Sequence, residues 1–149
     1  SSSRIRAALT LGDLNTAEGF MGRPYRFTGT VVTGKGLGGK IGWPTANLLI
    51  DGRKFLPGLG VYAALVWVTK SKGPFSAIMN LGPQPTIDPK SPSAVEVHLL
   101  DQKIDLRNCD LTIQPIKRLR DQICFESIES LTSQISKDAD KARSILSMD

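Results

Sequence analysis

Six short runs of β-forming residues, with no helical segment between any two of them, constrain this 149-residue chain more than any other feature of its sequence. The runs cover 25–33, 45–50, 61–69, 75–81, 94–100 and 109–116, are rich in Val, Ile, Thr and aromatic residues, and are bounded by Gly, Pro, Asp or Asn. A parallel sheet needs long crossover connections, usually helical. Without them the pattern predicts a mainly β fold, a six-stranded antiparallel closed barrel that leaves no open sheet edge. After the last run the period changes. Ile128, Leu131, Ile135, Ala139, Ala142 and Ile145 recur at three- and four-residue steps, which predicts an amphipathic helix of about five turns on the outside of the barrel. Before the first run, two short amphipathic segments flank Gly12 and Asp13, so residues 1–22 read as a helical lead-in or linker and 23–149 as the barrel domain with its C-terminal helix. A chain of this length holds one core.

The densest local signal precedes the second run. Gly34, Gly36, Gly38, Gly39 and Gly42 fall within nine positions, with Lys35 and Lys40 among them, and Trp43-Pro44-Thr45-Ala46-Asn47 follows at once. Successive free backbone N–H groups in such a loop form a concave anion site, and the two lysines add positive charge, so a phosphate is the expected guest. Neither familiar phosphate pattern is met. Gly34-x-x-x-x-Gly39-Lys40 starts like a Walker A loop but continues with Ile41, which lacks the hydroxyl that holds magnesium. Gly34-x-Gly36-x-x-Gly39 fits a dinucleotide fingerprint, but Gly42 and Pro44 forbid the helix that this fingerprint must open. A strand is expected instead, and residues two apart on a strand share a face, so Thr45 and Asn47 would present two hard oxygen ligands for Mg²⁺ beside the phosphates. The alternative from pattern alone is a hairpin loop capped by Thr and Asn.

In Val95-Glu96-Val97-His98-Leu99, alternation sends the apolar residues to one face and Glu96 with His98 to the other. Taken alone, Glu96 would be a solvated polar face. His98 is the only histidine, which argues against a catalytic dyad or metal site and for a hydrogen-bonding role near the pocket. Cys109 and Cys124 make no metal spacing and read as reduced thiols. The net charge of +5 invites a nucleic-acid reading, but the basic residues are scattered and only nine residues are aromatic, so no nucleic-acid partner is expected. No apolar run reaches the length of a membrane span and no signal peptide is visible, so the expectation is a cytoplasmic protein without a membrane partner.

The run Ile41-Gly42-Trp43-Pro44-Thr45-Ala46-Asn47-Leu48 resembles the Pro-Thr-Ala-Asn motif of riboflavin kinases, in particular the kinase module of bacterial bifunctional riboflavin kinase/FAD synthetases. The likeness continues through Pro57-Gly58-Leu59-Gly60-Val61-Tyr62-Ala63, Met79-Asn80-Leu81-Gly82, Pro85-Thr86 and Val95 to Asp101, and ends in a helix after Phe125 with Leu131, Gln134, Ile135, Asp138 and Ala142. It implies a Greek-key barrel that transfers the γ-phosphoryl group of ATP to the ribityl 5'-hydroxyl of riboflavin, giving FMN and ADP with Mg²⁺. Gly34, Gly36, Gly38, Gly39 and Lys40 would cradle phosphates, Thr45 and Asn47 would hold the metal, and Glu96, in the family's Glu-x-His context, would accept the hydroxyl proton.

The resemblance also implies that Asn80 lines the site, although a turn-initiating Asn fits equally well. Arg120 and Phe125 would belong to a flap over the flavin, with Arg120 stacking on or bonding the ring and Phe125 packing on it or anchoring the helix. Lys117 and Arg118 read as solvated neighbours. Three departures from the family pattern stand out: Gly39 where an arginine is common, Gln84 in place of another arginine, and Asp105-Leu106-Arg107-Asn108 for an Asp-Leu-Tyr-Gly turn. Ser1, Ser2, Ser3 and Arg6 resemble the tail of an adenylyltransferase module, an FAD synthetase module otherwise missing from the chain, so no conversion of FMN to FAD is expected. A flavin-binding module without catalysis is the alternative reading.

Overall fold

A computed structural model describes residues 2–32, 43–69, 72–83 and 94–147. Helices α1 (Ser2–Thr10) and α2 (Leu14–Met21) lead into strands β1 (Phe27–Val32), β2 (Thr45–Leu49), β3 (Gly60–Val68), β4 (Lys72–Leu81), β5 (Val95–Leu99) and β6 (Asp110–Arg120), and helix α3 (Ile128–Leu146) follows. The strands close into a barrel in the order β1-β2-β5-β4-β3-β6, with every neighbouring pair antiparallel. β3, β4 and β5 form a meander, β6 returns beside β3 and β2 lies beside β5, which is Greek-key connectivity. The barrel, its six strands and the terminal helix match what the sequence predicts.

The pleat divides each strand between two environments. Leu48, Tyr62, Val66, Met79, Val97 and Ile113 point inward with their neighbours and form the main core. On most strands the opposite face is polar or half-buried, but β3 is apolar on both faces over much of its length. The reason is α3. Its Ala139 and Ala142 are fully buried against Val61, Ala63, Ile78 and Leu100 on the outside of the barrel, making a second cluster. Two alanines at this contact let the helix axis approach the sheet closely. Ser127 caps α3 by accepting from the Ser130 N–H, and the Ser130 hydroxyl accepts the Ser127 N–H in return.

β6 runs past the expected end at residue 116 to Arg120. Pro115 cannot donate to the ladder, and the strand accommodates it with irregularities opposite Ala63/Ala64 and Val61/Tyr62. The second irregularity has a consequence for side-chain direction. Tyr62 pairs with Arg118 and Val61 with Arg120, so one extra residue separates the two arginines and sends them to opposite faces of the sheet. Arg118 goes to the barrel end, where it donates to the Leu59 carbonyl and to Asp121. It is therefore not the solvated neighbour that the sequence suggests, whereas Lys117 is exposed. The Arg118 stem fills the space beside Gly12 and Gly60, both at positive φ; a Cβ on either would lie 2.6 Å from its Cδ or 2.7 Å from its Nε.

Helices α1 and α2 share the main core through Ala8, Leu9, Leu14 and Ala17. The Gly58 N–H donates to the Leu9 carbonyl and the Tyr25 N–H to Glu18. Buried Tyr62 donates its hydroxyl to the Gly58 carbonyl at 2.6 Å, and burial pushes that phenol's pKa up against the opposing pull of Arg118. Among the described residues no helix is long and apolar enough to cross a membrane.

Candidate active site

Strand register assembles the candidate residues on the outer face of the barrel. Asn47 on β2 stands opposite Glu96 on β5, Glu96 opposite Asn80 on β4, Asn80 opposite Val61 on β3, and Val61 opposite Arg120 on β6. One row across five strands therefore carries Asn47, Glu96, Asn80 and Arg120, which are 73 residues apart at their extremes (120 − 47). The adjacent row pairs Thr45 with His98 and His98 with Ile78. Thr45 and Asn47 share the outer face of β2 while Ala46 and Leu48 fill the core. Glu96 and His98 likewise turn away from Val95, Val97 and Leu99. Beside Asn80, Glu96 and His98, residues of α3 and of the segment after β6 line the same space.

A cavity of about 220 Å³ lies between this face and α3. Asn80, Glu96 and His98 supply a polar wall; Val61, Ile78, Ile123, Phe125, Leu131 and Ile135 supply an apolar one. Such a mix suits a ligand with a flat apolar body and a polar tail. The side chain of Glu96 is 30% exposed and that of His98 only 8%. His98 Nε2 lies 2.9 Å from Glu96 Oε1, and His98 Nδ1 lies 3.0 Å from Thr45 Oγ1. The imidazole thus bridges two residues that the sequence singled out separately. Thr45 Oγ1 is also 3.2 Å from the Trp43 carbonyl.

Arg120 lines the same cavity, but its guanidinium is engaged elsewhere. Nε and Nη2 donate to the carboxylate of Asp138 at 2.8–3.1 Å, Nη1 donates to the Asp121 carbonyl, and the group sits 5.9 Å from the Phe125 ring centroid. Asp138 is 3% exposed and accepts a further bond from Gln134. Arg120 thereby ties β6, the segment carrying Phe125, and α3 into one wall. Gln122 donates to Asn80 Oδ1 at 2.6 Å, which fixes that amide and turns its NH₂ away from Gln122. At the far end of α3, Arg143 makes two 2.7 Å bonds to Asp101, one of 3.0 Å to Asp140, and lies 5.7 Å from the Trp43 ring centroid. The bonds from Arg143 hold the Asp101 carboxyl below its usual pKa.

Sequence reasoning did not anticipate Val61, Ile78, Ile123 or Gln122 as site residues, nor the pairing of Asp138 with Arg120. One signal was available: Asp138 is an acid in the apolar stripe of α3, between Ile135 and Ala142, and a buried carboxylate needs a partner. Gly34, Lys35, Gly36, Gly38, Gly39, Lys40 and Gln84 lie outside the described residues. Among the described residues no three His, Cys, Asp or Glu side chains gather as a metal site. A cation here would rest on the neutral oxygens of Thr45 and Asn47 and on oxygens of its ligand, a hard donor set that fits Mg²⁺ better than a thiophilic metal.

Comparison with known proteins identifies the family. The family model described as riboflavin kinase matches residues 21–146. The bifunctional riboflavin kinase/FMN adenylyltransferase of Haemophilus influenzae is 38% identical over 143 residues, covering 96% of this chain and 46% of its own. The Bacillus subtilis protein of the same name is 36% identical over 144 residues, covering 95% and 45% respectively. The chain thus spans about half the length of these curated relatives. A crystal structure from Streptococcus pneumoniae, described as a macrolide-efflux protein, superposes with a TM-score of 0.83 at 32% identity, covering 96% of this chain and 46% of that one. A riboflavin kinase from Trypanosoma brucei shares the fold, with a TM-score of 0.57 at 23% identity over 84% of this chain and 81% of its own. By its family match over residues 21–146, its 38% identity to a named relative and its barrel, the chain belongs to the riboflavin kinase family.

Proposed function

We propose that this chain transfers the γ-phosphoryl group of ATP to the ribityl 5'-hydroxyl of riboflavin, yielding FMN and ADP. The observation that carries this reading is the placement of Thr45 and Asn47 directly across the β2–β5 ladder from His98 and Glu96, beside a cavity with one apolar wall. In the transfer, an O–P bond forms to the ribityl oxygen, the bond to the ADP oxygen breaks, and the hydroxyl proton passes to a carboxylate oxygen of Glu96. Most of the rate comes from alignment and charge neutralisation. Thr45 and Asn47 would hold Mg²⁺, which when bound neutralises charge on the phosphate oxygens. Asn80 and His98 orient groups at the polar wall, while Leu131, Ile135 and Phe125 exclude water from the apolar one. Gly34, Gly36, Gly38, Gly39 and Lys40 are proposed to bind the phosphates. Arg120 is proposed to shape the flavin side of the site through Asp138 and Phe125.

A flavin-binding module without catalysis would have no need for a carboxylate aligned with two oxygen ligands, so the kinase reading is the stronger one. An FAD synthetase module in cis is the partner proposed for the remaining half of the relatives' length; FMN without FAD is the product proposed for this chain. Glu96→Gln keeps the hydrogen-bonding shape and removes the proton acceptor. It should lower kcat by about 10²-fold or more while riboflavin affinity changes little. A variant as fast as the parent would remove Glu96 from the proposed chemistry.

A further inference from the structure

His98 is a buried imidazole to which the proposed chemistry assigns no bond-making step, and both of its ring nitrogens are taken. Nε2 faces Glu96 Oε1 at 2.9 Å and Nδ1 faces Thr45 Oγ1 at 3.0 Å. These partners sit on different sides of the proposed reaction, one on the metal and phosphate side and the other at the proton acceptor. The backbone alone does not fix this connection. Thr45 is a register partner of His98 across β2 and β5, while Glu96 is two residues away on the same strand, so the ring spans both a cross-strand and an along-strand step.

We propose that His98 is a positioning residue that sets the Thr45 hydroxyl and the Glu96 carboxylate together. Hydrogen-bond consistency assigns the direction of each link. An ionised Glu96 only accepts, so Nε2 carries a proton and donates to it; in the neutral ring Nδ1 then accepts, and it takes the Thr45 O–H. This arrangement has two results. The Thr45 proton points at the ring, leaving its oxygen lone pairs for a cation, and one Glu96 oxygen is pinned, leaving the other to receive the ribityl proton. If the Thr45 hydroxyl turned to the Trp43 carbonyl, 3.2 Å away, Nδ1 of the neutral ring would face an oxygen with no proton between them, and only an imidazolium could restore that link, at the expense of one of those lone pairs.

The inference rests on the kinase reading, and the two can fail separately. His98→Gln places an amide N–H where Nε2 stands and abandons Thr45; His98→Asn places an amide oxygen where Nδ1 stands and abandons Glu96. Two readouts suffice: FMN turnover, and binding of Mn²⁺ with ADP followed by electron paramagnetic resonance of free Mn²⁺. H98Q should weaken Mn²⁺·ADP binding by about tenfold and lower kcat only a few fold, whereas H98N should lower kcat by about tenfold and weaken Mn²⁺·ADP only a few fold. H98A should lose on both readouts. Melting temperature and riboflavin affinity identify a variant that has simply lost its fold. Should H98Q and H98N change both readouts in parallel, or H98A match the parent, the bridge is overturned while the kinase stands. If the parent chain makes no FMN, the kinase reading fails and takes the bridge with it.

Discussion

The tie between Arg120 and Asp138 should be the most costly single interaction to break near the site. Asp138 is buried on α3, and the Arg120 side chain is 18% exposed on β6. Asp138→Ala leaves a guanidinium in the cavity wall with its main partner gone. Removing one member of a buried pair costs about 3–5 kcal/mol; Arg120 keeps the Asp121 carbonyl and some access to water, so the low end, about 3 kcal/mol, applies. For a domain of this size that corresponds to a fall in Tm of about 6–12 °C. The pair as a whole is worth less than either half suggests, since both desolvation costs vanish together. The double variant Arg120→Met with Asp138→Leu should therefore be more stable than Asp138→Ala alone, by about 1–2 kcal/mol. Urea denaturation of the parent, Arg120→Met, Asp138→Leu and the double variant gives the coupling directly, with Asp138→Ala measured beside them. If Asp138→Ala lost under 1 kcal/mol, or the double variant lost the sum of the singles, the buried tie would not hold α3 as described.

Two further perturbations test other joints. Gly60→Ala places a Cβ at φ +149, 2.7 Å from Arg118 Nε, and should destabilise by about 1–3 kcal/mol in the same assay by displacing Arg118 from the Leu59 carbonyl. Arg143→Met removes the bonds to Asp101 and the contact with Trp43; the pair is largely exposed, so the loss at neutral pH should be about 1 kcal/mol or less. The sign with pH follows from Asp101, whose bonds from Arg143 hold its folded pKa below the ordinary aspartate value of 3.8. A depressed carboxyl contributes stability above its unfolded pKa and loses it as pH falls through the folded one, so the gap between parent and Arg143→Met should close below about pH 3.8. Denaturation midpoints at pH 7 and pH 3 measure it, and a gap that widened in acid would contradict the assignment.

Much of the architecture was legible because its signals are local. The six runs, their turn residues and the change of period at Ile128 needed only residue type and spacing, and alternation in β5 correctly separated Val95, Val97 and Leu99 from Glu96 and His98. What stayed hidden depends on contacts between distant segments. The burial of Val61 and Ala63 on the outer face of β3 is explained only by the docking of Ala139 and Ala142. The opposite fates of Arg118 and Arg120, two residues apart in a strand, come from one irregular step in the β3–β6 ladder, and strict alternation would have put them on one face. The lone histidine was rightly given a hydrogen-bonding role, but its span from Thr45 to Glu96 required the β2–β5 register. Asn80 is in the same position: its turn reading and its site reading are equal in sequence, and pairing with Glu96 places it beside the cavity.

The most direct test of the account is to incubate the purified chain with riboflavin and ATP, with and without Mg²⁺, and to follow FMN and ADP by chromatography. FMN and ADP should appear in equal amounts, only with the metal, and far more slowly with Glu96→Gln. Riboflavin bound but never phosphorylated, or phosphorylated at the same rate in metal-free buffer and by Glu96→Gln, would contradict it.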